Sequence, residues 1–563
     1  MGGGVPSSRS PGPGGGQAPV EHAALAVLGA GPGGSGAFHR RGAAQSGGPG
    51  GHAGLFGTPQ ARVVGTVNNR PPFSKVLVAN RGEIAVRILR ACQELGIRTV
   101  AVYSEVDATS PHVLLADEAV CLGRAEPEAS YLHVGRIVDA ARRTGAEAVH
   151  PGYGFLAENP EFAQACREAG LTFVGPPAEV IAALGDKDRA RRLAQVAGIP
   201  TLPGHPPADD DTLERAAHAL GFPVLLKAAA GGGGRGMRVV RDPLQFRHAL
   251  ASARREVVSS FGNDAILLEK YLQDARHVEV QILADRYGKV VHLGERECSV
   301  QRRCQKIVEE CPSPAVDTDL RARLGEAAVR LTQQAGYVNA GTVEFLLDRD
   351  GCFYFLEVNT RLQVEHPVTE LVTGVDLVHA QLLIAAGHRL SLRQEEVSWR
   401  GHAVEARVYA EDPERGFVPS PGRILRLREP HLPGVRVDSG VREGQMVPVH
   451  YDPILAKVVA WAADRPTALS RLVHALREYV VLGLKTNLAF LLAVVTHSAF
   501  QAGEVSTEFV DEAFTSWHTP DPPPEVLAVA ATVLAQQAPS GASASRAPGD
   551  LDPWGRLRGL RLP

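Results

Sequence analysis

At 563 residues, with 44% apolar and 21% charged content, the chain has room for two to four domains with sizeable cores, in the composition range of a soluble enzyme. A formal net charge of -3 gives no electrostatic footprint for nucleic acid or an anionic membrane surface, and no apolar run reaches the about 18 residues that spanning a bilayer requires. The seven cysteines, at positions 92, 121, 166, 298, 304, 311 and 352, include no Cys-x-x-Cys, which argues against a disulfide framework and a structural zinc site and fits a reducing compartment, the cytoplasm or the mitochondrial matrix.

Residues 1–72 are dominated by Gly, Pro, Ala and Ser and hold one acidic residue, Glu21, and five arginines. They cannot bury enough surface to offset the entropy of ordering and read as a disordered extension. Within it Gly29-Ala30-Gly31-Pro32-Gly33-Gly34 matches a dinucleotide fingerprint, but no helix former follows and no acidic residue stands about twenty positions on. Few acids with Arg and Ser also suit a mitochondrial transit peptide, although the glycine and proline density spoils an amphipathic helix. From Phe73 the pattern changes. Lys75–Ala79 reads as a buried strand, Asn80-Arg81-Gly82-Glu83 as a turn, Ile84–Leu95 as a helix capped by Gly96, and Thr99–Tyr103 as the next strand. This is a βαβ opening, and its parallel sheet should continue through Ala148-Val149-His150. The predicted segments are 73–198, a smaller α+β part over 199–271 entered through a Pro/Asp-rich connection, a mostly antiparallel α+β part over 272–515, and a Pro/Ala/Ser-rich tail over 516–563.

Two stretches carry chemistry. Pro223–Val240 places Lys227 at the end of one strand and the run Gly231-Gly232-Gly233-Gly234 before the next. Glycines let backbone N–H groups close on phosphate oxygens and Lys227 adds positive charge; the alternative is a mobile hairpin tip. No Gly-x-x-x-x-Gly-Lys-Ser/Thr occurs, which disfavours a P-loop nucleotidase. Further on, Asp350-Gly351 is a hairpin signal between two β-rich runs, and a loop centred there sets Glu344 opposite Glu357. Carboxylates with Cβ atoms roughly 5 Å apart repel, so the pair needs a cation between them. Oxygen ligands with no nearby Cys or His point to Mg²⁺ or Mn²⁺. The alternative is two exposed strand glutamates paired with separate lysines. Asn359 and Arg361 follow Glu357 at period two and should share its face.

Together these pieces resemble the biotin carboxylases of the ATP-grasp superfamily over roughly Phe73–Phe514. The matching motifs are Lys75-Val-Leu-Val-Ala-Asn-Arg-Gly-Glu-Ile-Ala85, His150-Pro-Gly-Tyr-Gly-Phe-Leu156, the glycine loop, Arg276-His277-Val278-Glu279-Val280-Gln281, Gln301-Arg-Arg-Cys-Gln-Lys306, the run Glu357–Pro367 and Glu405-Ala-Arg407-Val-Tyr-Ala-Glu-Asp412. The resemblance implies an α/β ATP-grasp fold, with an N-terminal parallel domain, a glycine-loop lid and a C-terminal, mostly antiparallel α+β domain. It implies that Lys187, Lys227, Gly232, Gly233, Gly234, Glu269, Lys270, Leu272, His277, Gln301 and Cys304 surround ATP, and that Glu344, Glu357 and Asn359 hold Mg²⁺ or Mn²⁺. Lys306, Arg361, Gln363 and Val364 would hold bicarbonate, Glu365 would deprotonate it, and Arg407 would stabilise the enolate form of biotin. Cys304 departs from the polar residue usual there, and a thiol is a weak hydrogen-bonding partner, so reduced nucleotide affinity is expected. No Ala-Met-Lys-Met occurs, so biotin must arrive on a carrier protein or domain outside this sequence. The runs Val449–Lys457 and Asp552–Leu562 look like the α subunit of methylcrotonyl-CoA and related acyl-CoA carboxylases, which implies a carboxyltransferase β subunit and a homo- or hetero-oligomer. Acetyl- or propionyl-CoA types, other ATP-grasp ligases and a silent scaffold subunit are the alternatives.

Overall fold

The computed structural model describes residues 70–229, 237–261, 264–303 and 305–537. Its first sheet is parallel, in the spatial order Glu118–Gly123, Arg98–Ser104, Lys75–Val78, Ala148–His150, Thr172–Phe173, as the βαβ pattern predicts. Val76, Leu77 and Val78 are fully buried, which is why this strand reads as an unbroken apolar run rather than an alternating one. The following helix begins earlier than its apolar pattern implied. It spans Gly82–Glu94, so Gly82 and Glu83 form its first turn instead of preceding it. Gly440, far along the chain, packs so closely on the Gly82–Glu83 backbone that a Cβ there has no room.

A small antiparallel sheet follows, in the order Gly204–His205, Ile266–Lys270, Val224–Ala228, Arg238–Val240. It packs on the helices Asp210–Leu220 and Phe246–Phe261 around Leu213, Leu226, Phe246 and Leu268. The Pro/Asp-rich connection, over 200–211, contains its short edge strand, and Asp209 caps the helix Asp210–Leu220 by accepting from the Thr212 N–H. The glycine loop with Gly232, Gly233 and Gly234, together with Cys304, the extension before residue 70 and the sequence after residue 537, lies outside the described residues.

The largest sheet has eight antiparallel strands, in the order Phe353–Asn359, Asn339–Leu347, Arg276–Ala284, Val290–Arg302, Gln305–Cys311, His402–Tyr409, Ile454–Ala462, Val435–Ser439. One side is held by the helix Thr318–Gln334 against Val278, Val280 and Phe345, and the far end by Arg465–Glu478 against Val404, Ala406 and Val458. Register sets Glu309 opposite Glu405 and Arg407 opposite Lys457, so alternate positions of three neighbouring strands put two carboxyl groups and two cationic side chains on one buried face. Among the described residues, no helix is long and apolar enough to cross a membrane.

The hairpin that carries Glu344 and Glu357 reaches its predicted pairing by an unpredicted route. Its turn is the loop 348–352, centred on Asp350 rather than between Asp350 and Gly351, closed by Asp348 N–H to Cys352 O at 2.9 Å, with Asp348 Oδ1 accepting from Asp350 N and Cys352 N. That loop shifts the register by one residue, and a bulge at Leu356 shifts it back, so Glu344 does lie opposite Glu357.

Candidate active site

The large sheet, the small sheet and the start of the first helix enclose a cavity of about 1430 Å³. Every residue singled out from the sequence and described by the structure lines it: Lys187, Lys227, Glu269, Lys270, Leu272, His277, Gln301, Lys306, Glu344, Glu357, Asn359, Arg361, Gln363, Val364, Glu365 and Arg407.

On the small-sheet side, Lys227 and Glu269 come from paired neighbouring strands and meet in a buried ion pair. Lys270 donates to the carbonyl of Gly221 at 2.8 Å. Lys187 opens the helix Lys187–Val196, whose preceding residue Asp186 caps it, and reaches to 3.8 Å of Glu357.

The floor is an ion cluster on the large sheet. Lys306 Nζ donates to Glu279 at 2.6 Å, Glu365 at 2.8 Å and Glu344 at 3.0 Å. Glu344 also accepts from Asn359 Nδ2 at 2.7 Å and Gln363 Nε2 at 2.9 Å, and pairs with His277 Nε2 at 2.8 Å. Burial alone would push the Glu344 carboxyl up, and the Lys306 and His277 contacts outweigh it and hold it far below the usual carboxylate range. Burial likewise opposes the charge on Lys306, and the acidic groups around it hold its ammonium well above the ordinary lysine range.

Glu365 stands at the N-terminal boundary of the helix His366–Thr373, at the end of a turn that leaves the strand at Asn359. One of its oxygens meets Lys306, and the other accepts from Arg407 at 2.9 Å. Burial would raise its carboxyl, and Lys306, Arg407 and Arg296 together hold it well below the usual range. Arg361 is fixed within the same turn by Glu158 at 2.9 Å, Gln363 at 2.7 Å and Asn359 Oδ1 at 3.0 Å. Asn359 shares the face of the carboxylates and bonds Glu344, whereas Arg361 lies past the end of the strand, in the turn, and is linked to that face through Asn359.

One expectation needs correction. Sequence reading placed no His or Cys near the facing glutamates, yet His277 touches Glu344. Each of the facing carboxylates also has a lysine within reach, Lys306, shared with Glu279 and Glu365, for Glu344 and Lys187 for Glu357. The oxygen donors of Glu344, Glu357 and Asn359 still suit a hard cation such as Mg²⁺ or Mn²⁺, with Glu357 the less buried and less encumbered of the two carboxylates.

Four residues escaped the sequence reading as site components. Glu279 and Arg296, both fully buried, bond each other at 2.5 Å and support Lys306 and Gln363. Glu158 holds Arg361 and the Thr360 N–H, and Glu309 is in ion-pair contact with Arg407. For Glu279 the signal was present: His277, Glu279 and Gln281 alternate along one strand and so share a face.

Three family models match the chain: the biotin carboxylase N-terminal domain over residues 72–181, the carbamoyl-phosphate synthase L chain ATP-binding domain over 186–393, and the biotin carboxylase C-terminal domain over 405–512. The biotin carboxylase of Nostoc sp. is 52% identical over 443 residues, covering 78% of this chain and 99% of that protein. The mitochondrial methylcrotonoyl-CoA carboxylase subunit alpha of Rattus norvegicus is 50% identical over 443 residues, and there the match covers 78% of this chain but only 62% of the subunit. Among solved structures, the biotin carboxylase domain dimer of Hydrogenobacter thermophilus 2-oxoglutarate carboxylase, in complex with MgADP, ADP and bicarbonate, superposes with a TM-score of 0.77 at 47% identity, covering 78% of this chain and 97% of that one. Fold and site together define an enzyme of the ATP-grasp ligase class. Within that class, the chain belongs to the biotin carboxylase family.

Proposed function

We propose that ATP, bicarbonate and biotin meet in the 1430 Å³ cavity, and that the residues lining it divide the work as follows. Lys187, Lys227, Glu269, Lys270, Leu272, His277 and Gln301 bind the nucleotide from the small-sheet side. Glu344, Glu357 and Asn359 are the oxygen donors for Mg²⁺ or Mn²⁺, an ion that supplies neutralising charge to the phosphates. Lys306, Arg361, Gln363 and the Val364 backbone hold bicarbonate, Glu365 removes its proton, and Arg407 faces the developing oxyanion of biotin.

The observation that carries this reading is Glu365 held between Lys306 and Arg407 on the cavity floor. Held this way the carboxylate is ionised across the physiological range but is a weak base. An anion arriving at Lys306 and Arg361 takes a share of the cationic charge and raises the basicity of Glu365 as the proton comes into reach. The deprotonated bicarbonate oxygen attacks the γ-phosphorus of ATP, ADP leaves, and carboxyphosphate decomposes to CO₂ and phosphate beside biotin N1. Exclusion of water protects the intermediate.

The test is ADP release with Mg²⁺, ATP and bicarbonate, with and without free biotin, beside Glu365→Gln. Biotin-stimulated release that falls about 10²- to 10⁴-fold in the variant supports the assignment. ATP cleavage indifferent to biotin overturns it.

The acceptor we infer is the methylcrotonyl-CoA type, on the likeness to the rat subunit, of which this chain spans 62%. A biotin carrier and a carboxyltransferase partner then complete the reaction. Supplying a biotinylated carrier with methylcrotonyl-CoA, acetyl-CoA or propionyl-CoA carboxyltransferases, and measuring bicarbonate fixed into each acyl-CoA, tests it. Fixation confined to another acyl-CoA overturns the choice.

A further inference from the structure

Lys457, on the strand Ile454–Ala462, is fully buried, and the proposed function gives it no task. Its shortest contact is not a carboxylate. Nζ donates to the carbonyl of Val364 at 2.8 Å, and its acidic neighbours stand further off, Glu83 at 3.3 Å and Asp438 at 3.8 Å. Val364 immediately precedes Glu365, and Lys457 lies in register opposite Arg407, the residue that grips the Glu365 carboxylate. Two cations side by side on one sheet face therefore hold the turn at two adjacent points, one on the backbone and one on the side chain.

The acidic groups around Lys457 hold its charge against burial, yet its shortest bond goes to the backbone. Asp438 is engaged by Arg436 through two bonds, at 2.9 and 2.8 Å. Both oxygens of Glu83 and of Glu405 are buried without a hydrogen bond. Burial pushes the Glu83 carboxyl up to about 7 despite Lys457 beside it, and pushes Glu405 well above the ordinary range, where Glu309 faces it across the strands. A buried ammonium must find its partner somewhere, and a charged donor makes a stronger bond than a neutral one. Here that bond goes to the backbone beside the proposed base.

We propose that Lys457 is a positioning residue for the reaction, fixing the turn 360–365 through the Val364 carbonyl so that Glu365 meets Lys306 and Arg407. The inference rests on the functional reading above, and it predicts that loss of the ammonium harms turnover rather than nucleotide binding, because Lys227, Glu269 and Lys270 lie on other strands. Removing the ammonium alone leaves Glu83 buried without its cation and risks the fold, so the experiment adds a variant that removes both.

Biotin-stimulated ADP release is measured for the wild type, Lys457→Met, Glu83→Gln and the double variant Glu83→Gln/Lys457→Met, with thermal midpoints alongside. The expected result is that the double variant melts with Glu83→Gln, and that its kcat falls about 10- to 100-fold below that of Glu83→Gln, the scale of a misplaced catalytic group. Its KM for ATP should stay within about twofold, since binding groups are not displaced. A double variant that turns over as fast as Glu83→Gln, or whose KM for ATP rises in step with the loss of kcat, overturns the proposal. If the wild type itself shows no biotin-stimulated release, it is the functional reading that fails.

Discussion

The carboxyl of Glu83 shows how a single residue changes character between sequence and structure. In the sequence it belongs to a polar turn; in the structure it lies in the first turn of a helix, 2% exposed, with Lys457 its nearest cation. Burial raises its carboxyl from 4.5 to about 7 in the folded protein. For an acid raised in this way, the folded state binds the extra proton, so the contribution to stability is complete below about pH 4.5 and is lost as the pH climbs through about 7. Glu83→Gln removes that dependence. The wild type is therefore expected to lose more stability between pH 5 and 8 than the variant, by at most about 3 kcal/mol for a single group shifted this far. Urea midpoints at the two pH values check it, and equal losses in both proteins would mean that Glu83 is ionised in the folded state at pH 5.

At the scale of elements, the hairpin Asn339–Leu347 with Phe353–Asn359 decides whether the facing glutamates serve a metal. Among the described residues Glu357 pairs only with Lys187, at 3.8 Å, whereas Glu344 is held by Lys306, His277, Asn359 and Gln363. Glu357→Gln should therefore leave the ion cluster intact and raise the Mg²⁺ concentration for half-maximal ADP release, by about 10- to 100-fold if the site behaves as other metal sites do when their ligand shell is altered. Glu344→Gln should instead disable turnover at any Mg²⁺ concentration, because Lys306 and His277 lose a shared anion. An unchanged Mg²⁺ requirement in Glu357→Gln would leave that residue as a partner of Lys187 and nothing more.

The same hairpin shows what the sequence can and cannot carry. Alternation and turn residues bring Glu344 opposite Glu357, but the loop 348–352 and the bulge at Leu356 are offsetting one-residue shifts that no local pattern reveals. The resemblance named the sixteen described residues that line the cavity by their places in its motifs, from Lys187 to Arg407. Glu158 and Glu309 were missed as site components because their roles depend on contacts to residues 203 and 98 positions away, Arg361 and Arg407. The contact between Lys306 and Glu344 was illegible for the same reason, since Lys306 reaches it from a strand two places further along the sheet than its neighbour.

Across the whole molecule, the segments are joined by a second buried ion network behind the cavity floor. Arg87, from the first helix, donates to Glu370 at 3.0 Å and to Asp376 at 2.7 Å, and Arg436, from the last strand of the large sheet, reaches the other oxygen of Glu370 at 2.7 Å. Glu370 also accepts from the Leu377 N–H at 2.8 Å. Burial opposes its charge, and Arg87, His366 and Arg436 outweigh burial and hold the carboxyl far below the usual range, so its stabilising contribution is present above the ordinary carboxylate range and is lost only as the pH falls through that lowered value. The sign is opposite to that of Glu83. Glu370→Gln keeps the shape and takes one carboxylate from each guanidinium, leaving buried Arg87 with Asp376 and the partly exposed Arg436 with Asp438, so the cost is about 1–3 kcal/mol, less than for a buried charge left with no partner. The expected outcome is a lower urea midpoint at an unchanged slope, read at pH 7 where Glu370 is ionised in the wild type. A loss below about 1 kcal/mol, the range of exposed pairs, would mean that water reaches Arg87 and Arg436 and that the apolar core, rather than this network, holds the first helix to the large sheet.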